Sequence, residues 1–407
     1  MSGPPRVAFV TDVYHEVNGA ARTCRELFAY ARRKDLPFCC VRYGPKPGLT
    51  TEGNTRSLEL DRSPLAVPVD PDLKFDCLFY RHRRVVEETL RDFRPDLVHI
   101  ISMGDAGILG AIAAAVLKVP LVLSWHTNLH EFAARRIGRS LRALPDAVRT
   151  SVERSVEKFL LDRVLWFFGR GHVLLAPSPE LVDLLRTRTG RPTFYMGRGV
   201  DMQQFHPGQR ERADETFTIG FVGRLMPEKN VRFLAKLETA LEAAGLSDFR
   251  IVIVGGGKER RWLEANVRRG VCVGVLHGDE LARAYANFDV FVFPSRTDTF
   301  GQVVQEAQAS GVPTVVTNEG GPQFLVENGV TGFVATSEGQ FVDAVVRLKN
   351  DPELRQRMGM EAHRRLYLKC WDRIFVEVYK AYELCKVARP ALPTGSARGL
   401  APAVQES

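Results

Sequence analysis

The chain has 407 residues, enough for two domains with full hydrophobic cores. Its hydrophobic share of 45% and charged share of 26% are ordinary for a globular protein, and they exclude a low-complexity or fibrous chain. The formal net charge of +8 indicates an anionic partner, for which nucleic acid, an acidic membrane surface and a nucleoside diphosphate are all suitable.

The cysteines indicate a reducing compartment. There are 7 of them, none in a CxxC arrangement and most inside apolar patterns, so we expect reduced packing residues and no zinc site. The opening sequence MSGPPRVAFVTD has no signal-peptide pattern. No apolar run approaches the roughly 18 residues of a transmembrane helix. We therefore expect a cytoplasmic protein whose membrane contact is at most peripheral, at the inner face of the cell membrane.

A strand, a loop and a helix open the chain. Residues 6–11 form an apolar strand pattern, residues 12–21 a loop rich in small side chains, and the following helix runs to about Arg33. This order predicts the first βα unit of a doubly wound sheet, in which ligands bind at the carboxyl ends of the strands. Gly19 would let the backbone approach a ligand closely, and a tight turn needed only for packing is the alternative.

Two positions in the rest of the first half concern chemistry. Asp70 and Asp72 have the D-x-D spacing of some metal sites, but prolines flank the pair and a surface turn is expected. His126 directly follows a strand predicted over 121–125, so its imidazole stands at a carboxyl end, where catalytic groups are common; a structural histidine is the alternative. His99 lies inside the strand predicted over 97–102, where packing is the expected role.

Residues 132–170 are predicted to be helical and basic. They hold nine Lys or Arg against four Asp or Glu, and four of the arginines, Arg135, Arg136, Arg139 and Arg142, lie on neighbouring turns. Two interpretations stay open. The segment is either an amphipathic helix that lies on an anionic membrane or a solvated arginine face on a helix that packs against its own domain.

A linker and a cationic loop follow. The segments GRGVD at 197–201 and FHP at 205–207, with the polar run 208–216, indicate a domain boundary. Beyond it a strand ends in glycine, and Arg224 and Lys229 stand at the start of the next helix. The planar fork of an arginine and the point charge of a lysine can close together on a diphosphate.

The most informative stretch runs from residue 293 to residue 321. A buried strand stops at Pro294, and a helix is predicted from about Phe300 to Ser310, with Thr299 and Gln302 as a capping box. The free N–H groups of such a helix start attract an anion.

Two carboxylates bracket this helix start. Asp298 and Glu306 have D-x7-E spacing, which places one acid at each end of an extended polar ligand such as a sugar nucleotide; a solvated surface acid is the alternative. After this stretch, a helical pattern reaches residue 387, and the tail over 389–407 is predicted to be disordered.

In order and spacing these motifs resemble glycosyltransferase family 4, the retaining enzymes of the GT-B fold. The resemblance covers nearly all of residues 6–387 and is carried by VNGAART at 17–23, HTN at 126–128, GRGVD at 197–201, GRLMPEK at 223–229, LHGDEL at 276–281 and DTFGQVVQE at 298–306. Arg198 stands where the family usually has Asn, and Asp298 where it usually has Glu. The second departure leaves the identity of the donor sugar open.

The resemblance implies a role for each matching residue. Four are expected to be catalytic: His126, at the transferred sugar, Asp298, at the donor sugar, and Arg224 and Lys229, at the phosphates. The other expected donor contacts are Gly19 at the diphosphate, Gly278 in the segment that frames the base, Phe300 and Gly301 at the phosphates, and Glu306 at the ribose.

The implied fold is α/β of the GT-B type, two Rossmann-like doubly wound domains that face each other across a cleft, with a C-terminal helix that crosses back to the first. We expect residues 1–205, completed by 372–388, to bind the acceptor and residues 206–371 to bind the nucleotide sugar.

The implied reaction is retaining transfer of a hexosyl group, with mannosyl favoured, from a GDP- or UDP-sugar to a lipid or glycan. No metal or other cofactor and no nucleic acid is expected. A nucleotide-sugar epimerase of the same fold remains an alternative. A non-catalytic basic membrane-binding module would explain the charge but none of the loop motifs.

Overall fold

The computed structural model describes residues 3–387 except 17, 69–73, 129, 131–133, 135–136, 138–140, 142–144 and 213. Within these residues the chain forms an eight-stranded sheet, a six-stranded sheet and a small hairpin. Helices alternate with the strands along the chain. The predicted doubly wound α/β architecture is therefore confirmed.

The first half contains ten strands within the described residues. They are β1 (Val7–Thr11), β2 (Phe38–Tyr43), β3 (Gly48–Glu52), β4 (Thr55–Leu60), β5 (Ala66–Pro68), β6 (Lys74–Asp76), β7 (Leu97–Ile100), β8 (Leu121–Ser124), β9 (Val173–Ala176) and β10 (Thr193–Tyr195). The order in the sheet is β10-β9-β8-β7-β1-β2-β4-β3, parallel except for β3, and β5 pairs with β6 as the hairpin.

The second half contributes β11 (Phe217–Val222), β12 (Phe249–Val254), β13 (Gly270–Gly274), β14 (Val290–Phe293), β15 (Thr314–Thr317) and β16 (Gly332–Ala335). All are parallel, in the order β13-β12-β11-β14-β15-β16. Strands such as β1 and β14 are buried along their whole length. The reason is that helices cover both faces of a parallel sheet, so side chains that point to either face are shielded from water.

The helices are α1 (Gly19–Arg33), α2 (Arg83–Phe93), α3 (Asp105–Leu117), α4 (Asp146–Phe168), α5 (Pro179–Thr189), α6 (Phe233–Ala243), α7 (Arg260–Asn266), α8 (Gly278–Ala286), α9 (Gln302–Ala309), α10 (Glu338–Asn350), α11 (Pro352–Leu366) and α12 (Trp371–Val387). No helix of the described part of the chain is long and apolar enough to cross a membrane.

Each sheet has one point at which the strand order reverses. The chain moves outward from β1 on one side and resumes at β7 on the other, and in the second sheet the same reversal separates β11 from β14. In open α/β sheets the crevice outside such a switch point is where ligands bind. The loops after these four strands are therefore the ones that can form a site.

The last helix, α12, returns to the first half. Trp371, Phe375 and Tyr382 belong to the apolar cluster that includes Phe9 and Phe38 of the first sheet. The Tyr382 hydroxyl lies 2.7 Å from Nδ1 of His99, whose other ring nitrogen contacts the Ser124 hydroxyl. The predicted crossing of the C-terminal helix is confirmed, and His99 is a buried packing residue.

The linker runs beside the start of α12. The Val200 amide donates to the Lys369 carbonyl oxygen at 3.2 Å, and a side chain at Gly199 would overlap the backbone of Trp371. Met196 packs in the core of the first half, whereas Val200 packs in that of the second. Two chain segments therefore connect the halves at one place; the division at residues 205/206 and 371/372 stays a proposal.

Candidate active site

A cleft of about 880 Å³ lies between the two halves. The loops after β1, β7, β11 and β14, the four strands at the two switch points, all contribute to its walls, and the loop after β8 joins them. Seven of the nine predicted site residues line it: Gly19, His126, Arg224, Lys229, Asp298, Phe300 and Gly301. Gly278 and Glu306 do not.

An ion pair occupies the second half's wall of the cleft. Nζ of Lys229 lies 2.5 Å from Oδ1 of Asp298. Burial alone would raise the pKa of the Asp298 carboxyl, but the Lys229 ammonium outweighs burial and the pKa lies below its usual value. Asp298 is therefore ionised at neutral pH, and its other oxygen, Oδ2, is buried with no hydrogen-bond partner among the described residues. That oxygen is available to a donor group of a ligand.

The loop that carries Arg224 depends on a close approach of two backbones. Gly255 has φ of +138°, and a Cβ there would lie 1.9 Å from the Gly223 carbonyl oxygen. The Leu225 amide donates to the Gly256 carbonyl oxygen at 2.8 Å. Because residues 255–257 have no side chains, their backbone can lie against the loop that carries Arg224. Arg224 lines the cleft, and its guanidinium is 3.8 Å from the Glu228 carboxylate.

The predicted capping box at α9 is wrong. The helix begins at Gln302 instead of Phe300, and its N-cap is Gly301, with φ of +92° and no side-chain cap. The Thr299 hydroxyl donates to the His126 carbonyl oxygen at 2.8 Å. The side-chain nitrogen Nε2 of Gln302 donates to the Gly199 carbonyl oxygen at 3.0 Å. Both side chains join the second half to the first, an arrangement that competes with local capping and that sequence spacing does not reveal.

His126 faces this wall from the first half. It is 8% exposed, and neither ring nitrogen has a hydrogen-bond partner among the described residues. Burial, reinforced by the charge of Arg198, holds the pKa of the imidazole well below its usual value. His126 is therefore neutral at pH 7, with one N–H donor and one acceptor nitrogen free for a ligand.

Gly19 is the first residue of α1, and Asn18 caps that helix by accepting from the Ala21 amide at 2.9 Å. The prediction that a ligand requires this glycine is incomplete. The space a Cβ would occupy is already filled by Arg198, whose Nη1 lies 1.9 Å from the position of that atom. The absence of a side chain at Gly19 therefore lets the Arg198 guanidinium pack against the start of α1.

Glu306 lies behind the cleft wall. Its carboxylate is 2.6 Å from Nη1 of Arg22 in the first half and accepts from the Tyr285 hydroxyl at 3.0 Å. Burial raises the pKa of Glu306, an effect that Arg22 partly offsets. Its contact with a ribose stays a prediction. Gly278, with φ of +55°, begins α8 directly after His277, which does line the cleft.

Sequence reasoning missed Asp12. This residue follows β1, lines the cleft and accepts from the Ser102 hydroxyl at 2.6 Å and the Ala106 amide at 2.6 Å. Burial and the neighbouring Asp105 raise the pKa of its carboxyl to about 7. Asp12 thus ties the end of β1 to the start of α3. Its place directly after the first strand was the signal that could have indicated it.

Several predictions fall outside the described residues. Asp70 and Asp72 do, and so do Arg135, Arg136, Arg139, Arg142 and the tail from 389. In the part of the basic segment that is described, α4 carries four basic and four acidic residues, so the segment's excess charge is not on this helix. No group of three His, Cys, Asp or Glu side chains with metal-binding geometry occurs among the described residues; metal independence stays a prediction.

The fold is shared with solved glycosyltransferase structures. Sucrose-phosphate synthase from Thermosynechococcus elongatus superposes with a TM-score of 0.71 at 19% identity, covering 94% of this chain and 99% of that one. Anabaena HepE in complex with UDP superposes with a TM-score of 0.65 at 16% identity, covering 93% and 99%. Two Rossmann-like halves that face one cleft, with this fold in common, define the GT-B fold.

Sequence comparison gives the family. The family described as Glycosyltransferase Family 4 matches residues 17–204, and the one described as Glycosyl transferases group 1 matches residues 216–351. A GDP-mannose-dependent alpha-mannosyltransferase of Mycobacterium tuberculosis is 35% identical over 399 residues, covering 94% of this chain and 98% of that protein. Sulfoquinovosyl transferase SQD2 of Arabidopsis thaliana is 31% identical over 314 residues, covering 71% and 58%. The chain belongs to glycosyltransferase family 4.

Proposed function

We propose that the protein transfers a mannosyl group from GDP-mannose to a hydroxyl group of a lipid or glycan, with retention of configuration. The relatives named as GDP-mannose-dependent support guanine and mannose over other donors. The structural observation that carries the proposal is the Lys229–Asp298 ion pair beside Arg224, in a cleft whose opposite wall presents the neutral His126.

The donor diphosphate fits the second half's wall. Arg224 and Lys229 supply positive charge, and the backbone at Gly301 and Gln302 supplies the N–H groups of a helix start. The sugar then lies between Asp298, which accepts from its hydroxyl groups, and His126. The second half thus holds the phosphate end of the bond that breaks, and the first half contacts the sugar end through His126.

The reaction breaks the bond between the anomeric carbon and the β-phosphate oxygen. The acceptor oxygen bonds to that carbon on the same face, and its proton passes to the departing phosphate oxygen, which lies beside it in a same-face attack. Negative charge on the phosphate is greatest as the bond breaks, so Arg224, Lys229 and the start of α9 stabilise the transition state more than the bound donor. His126 is neutral and contributes hydrogen bonds to the sugar.

Glu306 is proposed as the ribose acid, which requires its carboxylate to exchange Arg22 or Tyr285 for the ribose hydroxyls. Glu306→Ala should then weaken donor binding by about 1.5–3 kcal/mol, the range for hydrogen bonds to a charged group. Calorimetry with GDP measures the change. An unaltered affinity in a folded variant would remove Glu306 from the donor site.

A thermal-shift screen of GDP-mannose, GDP, UDP-glucose and UDP tests the donor. The correct donor stabilises the folded state by mass action, by about 2.7 kcal/mol at a hundred times its dissociation constant. Stabilisation by UDP ligands alone would reject guanine, and stabilisation by none would reject the proposed function.

Transfer should also continue in EDTA; activity that EDTA abolishes and Mg²⁺ or Mn²⁺ restores would show that a metal takes part.

A membrane surface is the proposed location of the acceptor. On α4, Val164 and Phe168 face the cleft, while Phe159 is 60% and Trp166 58% exposed on the outer side. Exposed aromatic side chains beside arginines suit the interface of an anionic bilayer. Co-sedimentation with anionic vesicles should fall from low to high salt and should weaken in Phe159→Ser/Trp166→Ser. Absence of binding at low salt would leave α4 as a solvated helix.

A further inference from the structure

Arg198 is a buried cation in the linker between the halves. It follows β10 by three residues, is 6% exposed and lines the cleft. Its guanidinium makes neither an ion pair nor a hydrogen bond within the described part of the chain, and its Nε is buried without a partner. Cζ lies 5.4 Å from the centroid of the Phe300 ring, and the negative charge of Asp298 in the cleft offsets part of the cost of burying the guanidinium.

Such a group is expensive for the ligand-free protein. Burial lowers the pKa of Arg198 to about 10, so the guanidinium is still charged at neutral pH. A buried charge without hydrogen bonds destabilises the folded state, and proteins normally pair it. Arg212 shows the normal case, because its side chain is 9% exposed and lies 2.9 Å from the Asp289 carboxylate. Arg198 has no such hydrogen-bonded partner within the described residues, which indicates a partner that binds from solution.

The place of Arg198 indicates that this partner is an anion. Its Nη1 fills the space above Gly19, so it stands beside the first turn of α1, a helix of 15 residues whose free N–H groups also favour negative charge. The helix start and the guanidinium are contributed by the first half, opposite Lys229 and Arg224.

The two cations of the second half are already close to acids. Lys229 is 2.5 Å from Asp298, and Arg224 is 3.8 Å from Glu228. A sugar bound through a diphosphate carries two negative charges, and a third develops on the departing oxygen as the sugar leaves, before the acceptor's proton reaches it. Those two pairs offer little net charge to match, whereas Arg198 contributes a positive charge that no acid contacts as an ion pair among the described residues.

We propose that Arg198 binds the donor diphosphate from the first half and, with Arg224 and Lys229, completes a three-cation clamp across the cleft. The inference rests on the proposed function and adds to it a binding and catalytic residue. Because Arg198 stands on the linker, the donor would bridge the two halves and hold them closed during transfer.

The test compares Arg198→Met with Arg198→Lys and with Arg212→Met as the matched buried control. For Arg198→Met we expect a ligand-free melting temperature equal to or above that of the wild type, because an unpaired buried charge is removed. We expect its dissociation constant for GDP to rise roughly 10- to 100-fold and that for GMP to rise much less. Arg198→Lys should recover part of the GDP affinity. Arg212→Met should melt earlier and bind GDP normally.

Three results would overturn the inference and leave the proposed function standing. Equal GDP affinity in Arg198→Met and the wild type would remove Arg198 from the diphosphate site. A raised KM for the acceptor with unchanged GDP affinity would assign the cation to the acceptor. A sharply lowered ligand-free melting temperature in both Arg198 variants would make it a structural residue. If neither GDP nor UDP binds the wild type, the proposed function fails and this inference fails with it.

Discussion

At the scale of single residues, environment decides the charge of each group in the cleft. Asp298 is buried yet ionised, because Lys229 is 2.5 Å away, whereas burial and then the neighbouring Asp105 raise the pKa of Asp12 to about 7. His126 is neutral, because its pKa is depressed by burial. Two aspartates in the same cleft thus differ in pKa and protonation, which agrees with the rule that site residues have displaced pKa values.

Arg224 and Lys229 provide the first prediction. Replacing either residue with Ala should lower kcat more than it raises KM, because phosphate charge is larger in the transition state than in the bound donor. The double variant should lose less than the sum of the single losses, since both cations act on one diphosphate. His126→Ala should lower kcat while GDP affinity is retained. Steady-state kinetics and GDP calorimetry measure both; an Arg224→Ala effect confined to KM would contradict leaving-group stabilisation.

His99 provides a prediction on pH. Burial lowers the pKa of His99 from 6.5 to about 3. The unfolded chain therefore binds more protons than the folded one below about pH 6.5, and stability should fall as the pH is lowered from there towards 3. The fall should be shallower in His99→Gln, because this residue no longer titrates. Urea midpoints across that pH range give the two slopes, and equal slopes would contradict the prediction.

At the scale of elements, the start of α9 is shaped by contacts to the other half. A Cβ at Gly301 would lie 2.9 Å from Cγ of Pro322, so a tight backbone replaces the side-chain cap. Thr299 and Gln302 are thereby released to bond the His126 loop and the linker. The helix that is predicted to bind phosphate is also the one that aligns the two walls of the cleft.

Thr299→Val tests this alignment. The change removes one hydrogen bond to the His126 carbonyl oxygen, which should cost about 0.5–1.5 kcal/mol. The effect should appear as a lower kcat, because the position of His126 relative to the sugar is disturbed. Thr297→Val is the matched control, since its hydroxyl bonds Glu228 within the same half at 3.2 Å. Similar kcat values for the two variants would show that the contact between halves does not matter for turnover.

At the scale of the whole molecule, a second group of contacts bridges the halves behind the cleft. Arg22 of α1 is paired with Glu306 of α9, and Tyr285 of α8 completes the carboxylate's hydrogen bonding. Linker and α12 connect the same halves through the backbone. The Arg22–Glu306 pair is therefore a side-chain bridge between the halves, in addition to these backbone connections.

Arg22→Met should destabilise the protein by about 3–5 kcal/mol, because it leaves a buried carboxylate without its cation. Arg22→Met/Glu306→Gln should be more stable than Arg22→Met, since the uncompensated charge is then gone. Thermal unfolding of the two single variants and the double variant gives the coupling. If the two effects simply add, the pair is not a coupled bridge between the halves.

The sequence by itself determined the fold and most of the candidate site. Fully apolar strands such as 290–293, small-residue loops and helical periodicity are local patterns, and the structure reproduces them closely. His126, Arg224 and Asp298 could be named because each follows a predicted strand within a segment that resembles a family motif, and parallel strands end at a common edge.

Only the tertiary structure decided which polar groups meet. Thr299 and Gln302 have perfect local spacing for a capping box, yet they bond the other half, because two hydrogen bonds across the cleft replace one local cap. Glu306 is paired with a residue 284 positions away, and Arg198 fills the space left by Gly19. Such contacts depend on how two separately folded sheets are docked, and a periodic pattern along one chain carries no information about that docking.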